Sequence, residues 1–276
     1  MMSKQKSGVA FLAVTAALLL AGQAEGQWRQ GDSGWCDERS GDRNRERVCL
    51  ALVSDFDDPG RMVVDGGMNG GVSVEGWSRE GVEVRARVWA DAGSSARARE
   101  IAEEVDIRML DGRLGVEGPE TGRRESWGVN FEIMVPRDTD LEIETRNGGI
   151  GVRDVNGRID FRATNGGVHL AGVGGDVRGR TTNGGLHVEL DGRSWAGRGL
   201  DVETTNGGVT IQVPPDYSAH LETGTVNGGI DIDFPVTVQG RIGRRLSTTI
   251  GEGGPTVRAT TTNGGVRIVR SGTAIR

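Results

Sequence analysis

Lysine is almost missing from this chain: Lys4 and Lys6 are the only two. Arginine therefore supplies 31 of the 33 basic side chains, scattered among 39 acidic ones. An acidic chain without a basic stripe is not built to hold a phosphate backbone, which excludes nucleic-acid binding. Aromatics are scarce too, 4% of residues with a single tyrosine. That leaves no rings for a thick stacked core or for a row of sugar platforms. Three histidines and two cysteines complete the short inventory of reactive side chains. No zinc-type Cys/His spacing, Ser-His-Asp order or phosphate-cradling loop appears among them. Catalytic, cofactor and metal residues are accordingly expected to be none.

Glycine is what abounds, 47 of 276 residues, against a usual share of about 7%. It follows no Gly-X-Y period, so a collagen helix is excluded. Hydrophobic residues at 35% with a net charge of −6 argue against wholesale disorder. A turn-rich repeat is the remaining way to organise so much glycine.

Lys4 and Lys6 precede an apolar run from Val9 to Ala21, broken only by Thr15, and Gly22-Gln23-Ala24 supplies small residues before Glu25. Residues 1–24 read as a secretory signal peptide, the run being short for a membrane span. Gln23 stands where a lipoprotein signal would carry cysteine. No second apolar stretch follows, so the expected location is extracytoplasmic (periplasm, cell surface or medium), without a transmembrane segment. In that oxidising setting Cys36 and Cys49 are expected to pair, contributing about 3 kcal/mol by closing their loop. Two free thiols or a two-cysteine metal site are the alternatives.

Asn-Gly-Gly occurs seven times, at Asn69, Asn147, Asn165, Asn183, Asn206, Asn227 and Asn263, with gaps of 78, 18, 18, 23, 21 and 36 residues. Three residues after each asparagine stand Val72, Ile150, Val168, Leu186, Val209, Ile230 and Val266. Five after stand Val74, Val152, Leu170, Val188, Ile211, Ile232 and Ile268. Between the two aliphatic columns runs a mostly polar one: Ser73, Gly151, His169, His187, Thr210, Asp231 and Arg267. This is the period of two that marks a half-buried strand. The strand before each corner alternates likewise, with Thr145, Thr181, Thr204, Thr225 and Thr261 two residues ahead of the asparagine.

Stacking like on like at about 4.8 Å gives one helical winding, an all-β right-handed parallel β-solenoid of about 18 residues per coil. An antiparallel meander also uses Asn-Gly turns but loses that stacking. Each coil is expected to lie on the one before it in sequence. Asn147, Asn165, Asn183, Asn206, Asn227 and Asn263 then form a corner ladder, their glycines adopting positive φ. The last gap is twice 18, so a degenerate coil is expected over Val236 to Pro255, a segment that contains Arg241, Arg244 and Arg245 and is expected to loop outward. Residues 61–136 form a mixed cap with a short helix at 94–105 capped by Ser94 or Ser95. Residues 25–60 form a polar N-terminal segment and 137–276 the solenoid.

The repeated units, such as Thr145-Arg146-Asn147-Gly148-Gly149-Ile150-Gly151-Val152, resemble those of the putative-adhesin family of bacterial exported β-strand-repeat proteins. The prolines of Val135-Pro136 and Val213-Pro214, the helix ahead of the repeats and the Cys36/Cys49 pair fit it as well. The resemblance covers roughly residues 60 to 276. It implies an exported parallel β-solenoid of unknown domain function and brings no catalytic residues.

His169 and His187 share the outward column on neighbouring coils, about 5 Å apart if stacked. A surface metal ion is conceivable there, but Gly151 and Arg267 share the column and no third ligand is fixed, so a solvated face is the default. Calcium nonapeptides are excluded, because Gly148-Gly149-Ile150-Gly151-Val152 runs into Arg153. Pro119-Glu120-Thr121-Gly122 reads as a loop. Asp231 and Asp233 flank an inward Ile232 and could serve acid–base work in a carbohydrate-active enzyme. The favoured expectation is a non-enzymatic, monomeric, adhesin-like surface or envelope protein. Its contact row is His169, His187, Thr210, Asp231 and Arg267, and its partner a protein or glycan. A purely structural or sensing module is the other alternative.

Overall fold

The structure, a computed structural model, describes residues 27–36, 45–234 and 243–271. The expected signal peptide lies outside the described residues, as do positions 236–242 of the expected degenerate coil.

Alternating apolar and polar residues divide each repeat into two short strands meeting at the Asn-Gly-Gly corner. In the Asn147 coil, Asp140–Asn147 enters the corner and Ile150–Arg153 leaves it. Leu141, Ile143, Ile150 and Val152 are buried, and the residues between them face outward. Departing strands join one sheet of 11 strands, and arriving strands join another of 10. The aliphatic columns pack between the two sheets as one continuous core. Each fully buried Val, Leu or Ile adds roughly 1.5–3 kcal/mol relative to exposure. Phe161 shows how tightly the columns are matched: its ring occupies the space a Cβ on Gly179 would need, at 2.4 Å.

Pairing between coils is parallel. Ile150 lies opposite Val168, Val168 opposite Leu186 and Leu186 opposite Val209. On the other sheet Leu141, Ile159, Val177 and Leu200 align in the same way. Longer gaps between corners are absorbed at the opposite end of the coil. There Trp195 donates its indole N–H to the Gly175 carbonyl at 3.0 Å, and Tyr217 is buried.

Stacking does not follow sequence order at the C-terminal end. Thr256–Asn263 lies between Gly197–Asn206 and Ala219–Asn227, and Val266–Arg270 lies between Val209–Val213 and Ile230–Ile232. The last coil is therefore inserted between its two predecessors. In place of a degenerate coil after Asn227, Arg245–Ile250 turns back antiparallel along Ala219–Asn227 and forms the edge of its sheet. Leu246 is buried there, so this stretch closes the core rather than looping away from it.

The corner glycines also differ from expectation. Among the first glycines of the seven corners, only Gly70 and Gly264 have left-handed φ, at 132° and 156°. The others are required for space. A Cβ on Gly148, Gly166, Gly184 or Gly207 would sit 1.9–2.2 Å from a glycine carbonyl oxygen of the adjoining coil. Backbones meet too closely at this corner for any side chain.

At the N-terminal end the Asn69 coil, Arg61–Asp65 and Val72–Trp77, stacks directly on the Asn147 coil. Ser126–Pro136, Val82–Ala92 and Glu46–Phe56 then extend the first sheet. Glu46–Phe56, from the polar N-terminal segment, is a full strand paired along its length with Val82–Ala92. The helix Ser95–Glu103 covers this extension with Ala98, Ile101 and Ala102 buried, and its N-cap Ser94 accepts from Arg97 N. The first sheet ends in edge strands of two and three residues, Arg29–Gln30 and Ile230–Ile232, short enough to resist pairing with another chain.

Candidate functional site

Four-residue strands with strict alternation present two outward side chains each. Val168–Ala171 turns out His169 and Ala171, and Leu186–Glu189 turns out His187 and Glu189. His169 and His187 are direct cross-strand partners, with ring centroids 4.8 Å apart and planes at 76°. Glu189 Oε1 lies 2.9 Å from His169 Nε2 and 3.1 Å from His187 Nε2. Gln212 Nε2, on the next strand, is 3.3 Å from His187 Nε2. Partial burial pushes the Glu189 carboxyl up, but the two imidazoles outweigh it and hold the group below the usual carboxylate range. That keeps Glu189 ionised and unlike a general acid. The sequence reading found no third group for the histidine pair. Glu189 was legible two positions after His187, on the same strand face.

The rest of the row runs from Ser73 through Gly151, the histidines and Thr210. Arg267 comes next and Asp231 last, because the Asn263 coil is inserted. The Arg267 Nε is buried without a hydrogen-bond partner. Asp231 and Asp233 stand at the open edge of the sheet, where Asp233 accepts from the Arg270 backbone N–H at 3.1 Å.

Gly151 leaves a gap in the row. Beside it lies a shallow hollow of about 420 Å³ bounded by Trp35, Ser73, Arg87, Asn130 and His169. Trp35 sits in the turn Ser33–Cys36, tied down by the Cys36–Cys49 disulfide with a Cα–Cα distance of 5.6 Å. The Arg87 guanidinium stacks 5.6 Å from the Trp35 ring centroid. The cysteine pair therefore does more than close a loop: it fixes an aromatic side chain over the polar face. Trp35 drew no attention in the sequence, since nothing local to it predicts that its turn folds back on this sheet.

The corner asparagines bond as a chain. Asn165 donates to Asn147, Asn183 to Asn165, Asn206 to Asn183 and Asn263 to Asn206, each at 2.8 Å. Asn227 completes the run by donating to Asn263 at 2.7 Å. Inside the corner Thr181, Thr204 and Thr261 donate their hydroxyls to glycine carbonyls of the adjoining coil at 2.7–2.8 Å.

The outer face of the second sheet differs in character. A groove of about 470 Å³ crosses it, lined by Glu144, Arg162, Arg178, Arg180, Glu203 and Arg258 among others. Arg258 pairs with Asp201 at 3.4 Å. Arg178 pairs with Asp176 at 3.2 Å, while Arg162 and Arg180 lie directly cross-strand from one another.

Residues 138–269 match the Toastrack DUF4097 family. That match is in keeping with the resemblance to the putative-adhesin family that the Asn-Gly-Gly units carry. No curated protein sequence is detectably similar to the chain. Among solved structures, it is similar to a putative cell adhesion protein from Clostridium sporogenes, at 10% identity and a TM-score of 0.42, covering 82% of this chain and 100% of that one. It is similar also to a putative adhesin from Bacteroides fragilis, at 9% identity and a TM-score of 0.34, covering 80% and 96%. A third is a putative adhesin from Parabacteroides merdae, at 13% identity and a TM-score of 0.28, covering 83% and 97%. Nothing about binding or catalysis follows from likenesses this distant. Among the described residues no helix is long and apolar enough to cross a membrane.

Proposed function

We propose that the chain is an exported, non-enzymatic scaffold, adhesin-like in its role, that presents a polar repeat face to an envelope or surface protein or glycan. We read its winding as right-handed, with about 18 residues per coil, a length supported by the 18-residue steps between paired corner asparagines. The leader-like residues 1–24 support export, and the Cys36–Cys49 bond suits an oxidising compartment.

The observation that carries this reading is the unshifted register of the first sheet. Ser73, His169, His187, Thr210 and Arg267 are held in line by parallel pairing, and the corner ladder fixes the spacing from behind. A rigid row loses little conformational entropy on contact, so weak polar interactions add along a repeating partner. The hollow beside Trp35 gives the row an aromatic surface on which a sugar or side chain can stack.

Sedimentation with isolated bacterial envelopes tests it. The purified protein is expected to bind saturably, and Trp35→Ala and Thr210→Glu to weaken binding while leaving the unfolding midpoint unchanged. Equal binding by both variants would mean the contact lies elsewhere. Turnover of a cell-wall or exopolysaccharide that Asp231→Asn abolishes would replace this reading with a carbohydrate-active enzyme.

A further inference from the structure

We propose that His169, His187 and Glu189 form a binding site for a zinc-class divalent metal ion on the outer face of the first sheet. One ligand atom from each converges there, all within 4.8 Å of one another. Two separations are already 2.9 and 3.1 Å, close to the edge of about 3.4 Å that a tetrahedral shell with 2.0–2.2 Å bonds requires. Binding needs the carboxylate oxygen to draw back slightly from both imidazoles, and the two imidazole nitrogens, which lie within 4.8 Å of each other, to reach the same edge.

The groups around His187 Nε2 can be arranged in more than one way. His187 Nε2 faces an acceptor, Glu189 Oε1 at 3.1 Å, and a donor, the Gln212 amide nitrogen at 3.3 Å. One protonation state of an imidazole nitrogen cannot serve both. With the histidine protons on Nδ1, both Nε2 atoms and Glu189 Oε1 are free to act as ligands. Turning the Gln212 amide offers its oxygen as a fourth.

Two imidazoles and one carboxylate suit Zn²⁺ and its late first-row neighbours. Ca²⁺ and Mg²⁺ call for six or more oxygens. Side-chain exposures of 42%, 29% and 39% let an ion enter from solvent. All three residues project from paired strands without a bulge between them, so the site is preorganised in the way loops rarely achieve. It stands independently of the contact reading, since its test needs only the protein and the ion.

Untagged protein, cleared of metal with a chelator, is titrated with Zn²⁺ by calorimetry beside His169→Ala, His187→Ala, Glu189→Gln and His220→Ala. Expected are one ion per chain and an affinity loss of about tenfold or more for each of the first three. His220→Ala should behave as wild type, although His220 also has a carboxylate neighbour, Glu222 at 3.4 Å. Co²⁺ in place of Zn²⁺ should give the strong visible absorption of a four-coordinate ion, lost in His187→Ala. Thermal unfolding of each variant separates lost binding from lost folding, and His187→Gln replaces any alanine variant that folds poorly. Absence of saturable Zn²⁺ binding would overturn the proposal. Unchanged affinity in a His169→Ala/His187→Ala protein would do so as well, as would loss confined to His220→Ala.

Discussion

Each Asn-Gly-Gly corner joins two residues with separate duties. The asparagine spans coils through its amide, and the glycine lets their backbones touch. Asn183 donates to Asn165 and accepts from Asn206, but both bonds face water. Asn183→Ala is therefore expected to cost about 1–2 kcal/mol. A Cβ on Gly184 would lie 2.1 Å from the Gly166 carbonyl oxygen. Gly184→Ala must push two coils apart and should cost more, about 3 kcal/mol. Urea unfolding of the two variants checks the ranking, and the reverse order would contradict the close-approach account. Tyr217, the chain's one tyrosine, offers a second residue-scale test. Burial, then the charge of Asp191, pushes its hydroxyl up to about 12 from the usual value near 10. A raised folded pKa gives stability that is present below pH 10 and lost as the pH rises through 12. Phenolate absorbance should appear near pH 12 in the folded protein, and Tyr217→Phe should flatten the loss of stability between those values. Titration of the native protein near pH 10 would mean the ring is not enclosed.

At the scale of elements, the inserted coil is the arrangement that makes the clearest demand. Val266–Arg270 is paired on both sides, whereas Ile230–Ile232 lies at the edge. Amides of the later strand should therefore exchange more slowly than those of the earlier one, despite lying nearer the C-terminus. Faster exchange over Val266–Arg270 would restore sequential stacking. The aliphatic columns, the helix cap at Ser94 and the separation of inward from outward residues were legible in the sequence, because alternation and capping are local rules. The stacking order was not. Coils that share the same corner and the same columns are interchangeable neighbours, so nothing in the Asn263 unit says which coil it prefers. Arg245–Ile250, with Leu246 and Thr248 buried, occupies the free side of Ala219–Asn227, where a further coil was expected. The site followed the same divide. Cross-strand adjacency of His169 and His187 follows from an 18-residue step, and Glu189 from alternation on one strand. Trp35 reaches the face only through long-range pairing of Glu46–Phe56 with the cap.

For the whole molecule, two outer faces built by the same repeat differ in character. The second sheet carries acids and arginines in neighbouring positions, such as Arg162 beside Glu144 and Arg180 beside Glu203. The first carries a line of smaller polar groups and histidines, with a hollow under Trp35, and this is the face assigned to contact. Comparing envelope binding by wild type, a Ser73→Glu/Thr210→Glu variant and Arg180→Glu decides between the two faces most directly. Adding two carboxylates to the first face should weaken binding by about tenfold or more, while Arg180→Glu on the second should bind as wild type. Undiminished binding by Ser73→Glu/Thr210→Glu, with loss confined to Arg180→Glu, would contradict the account.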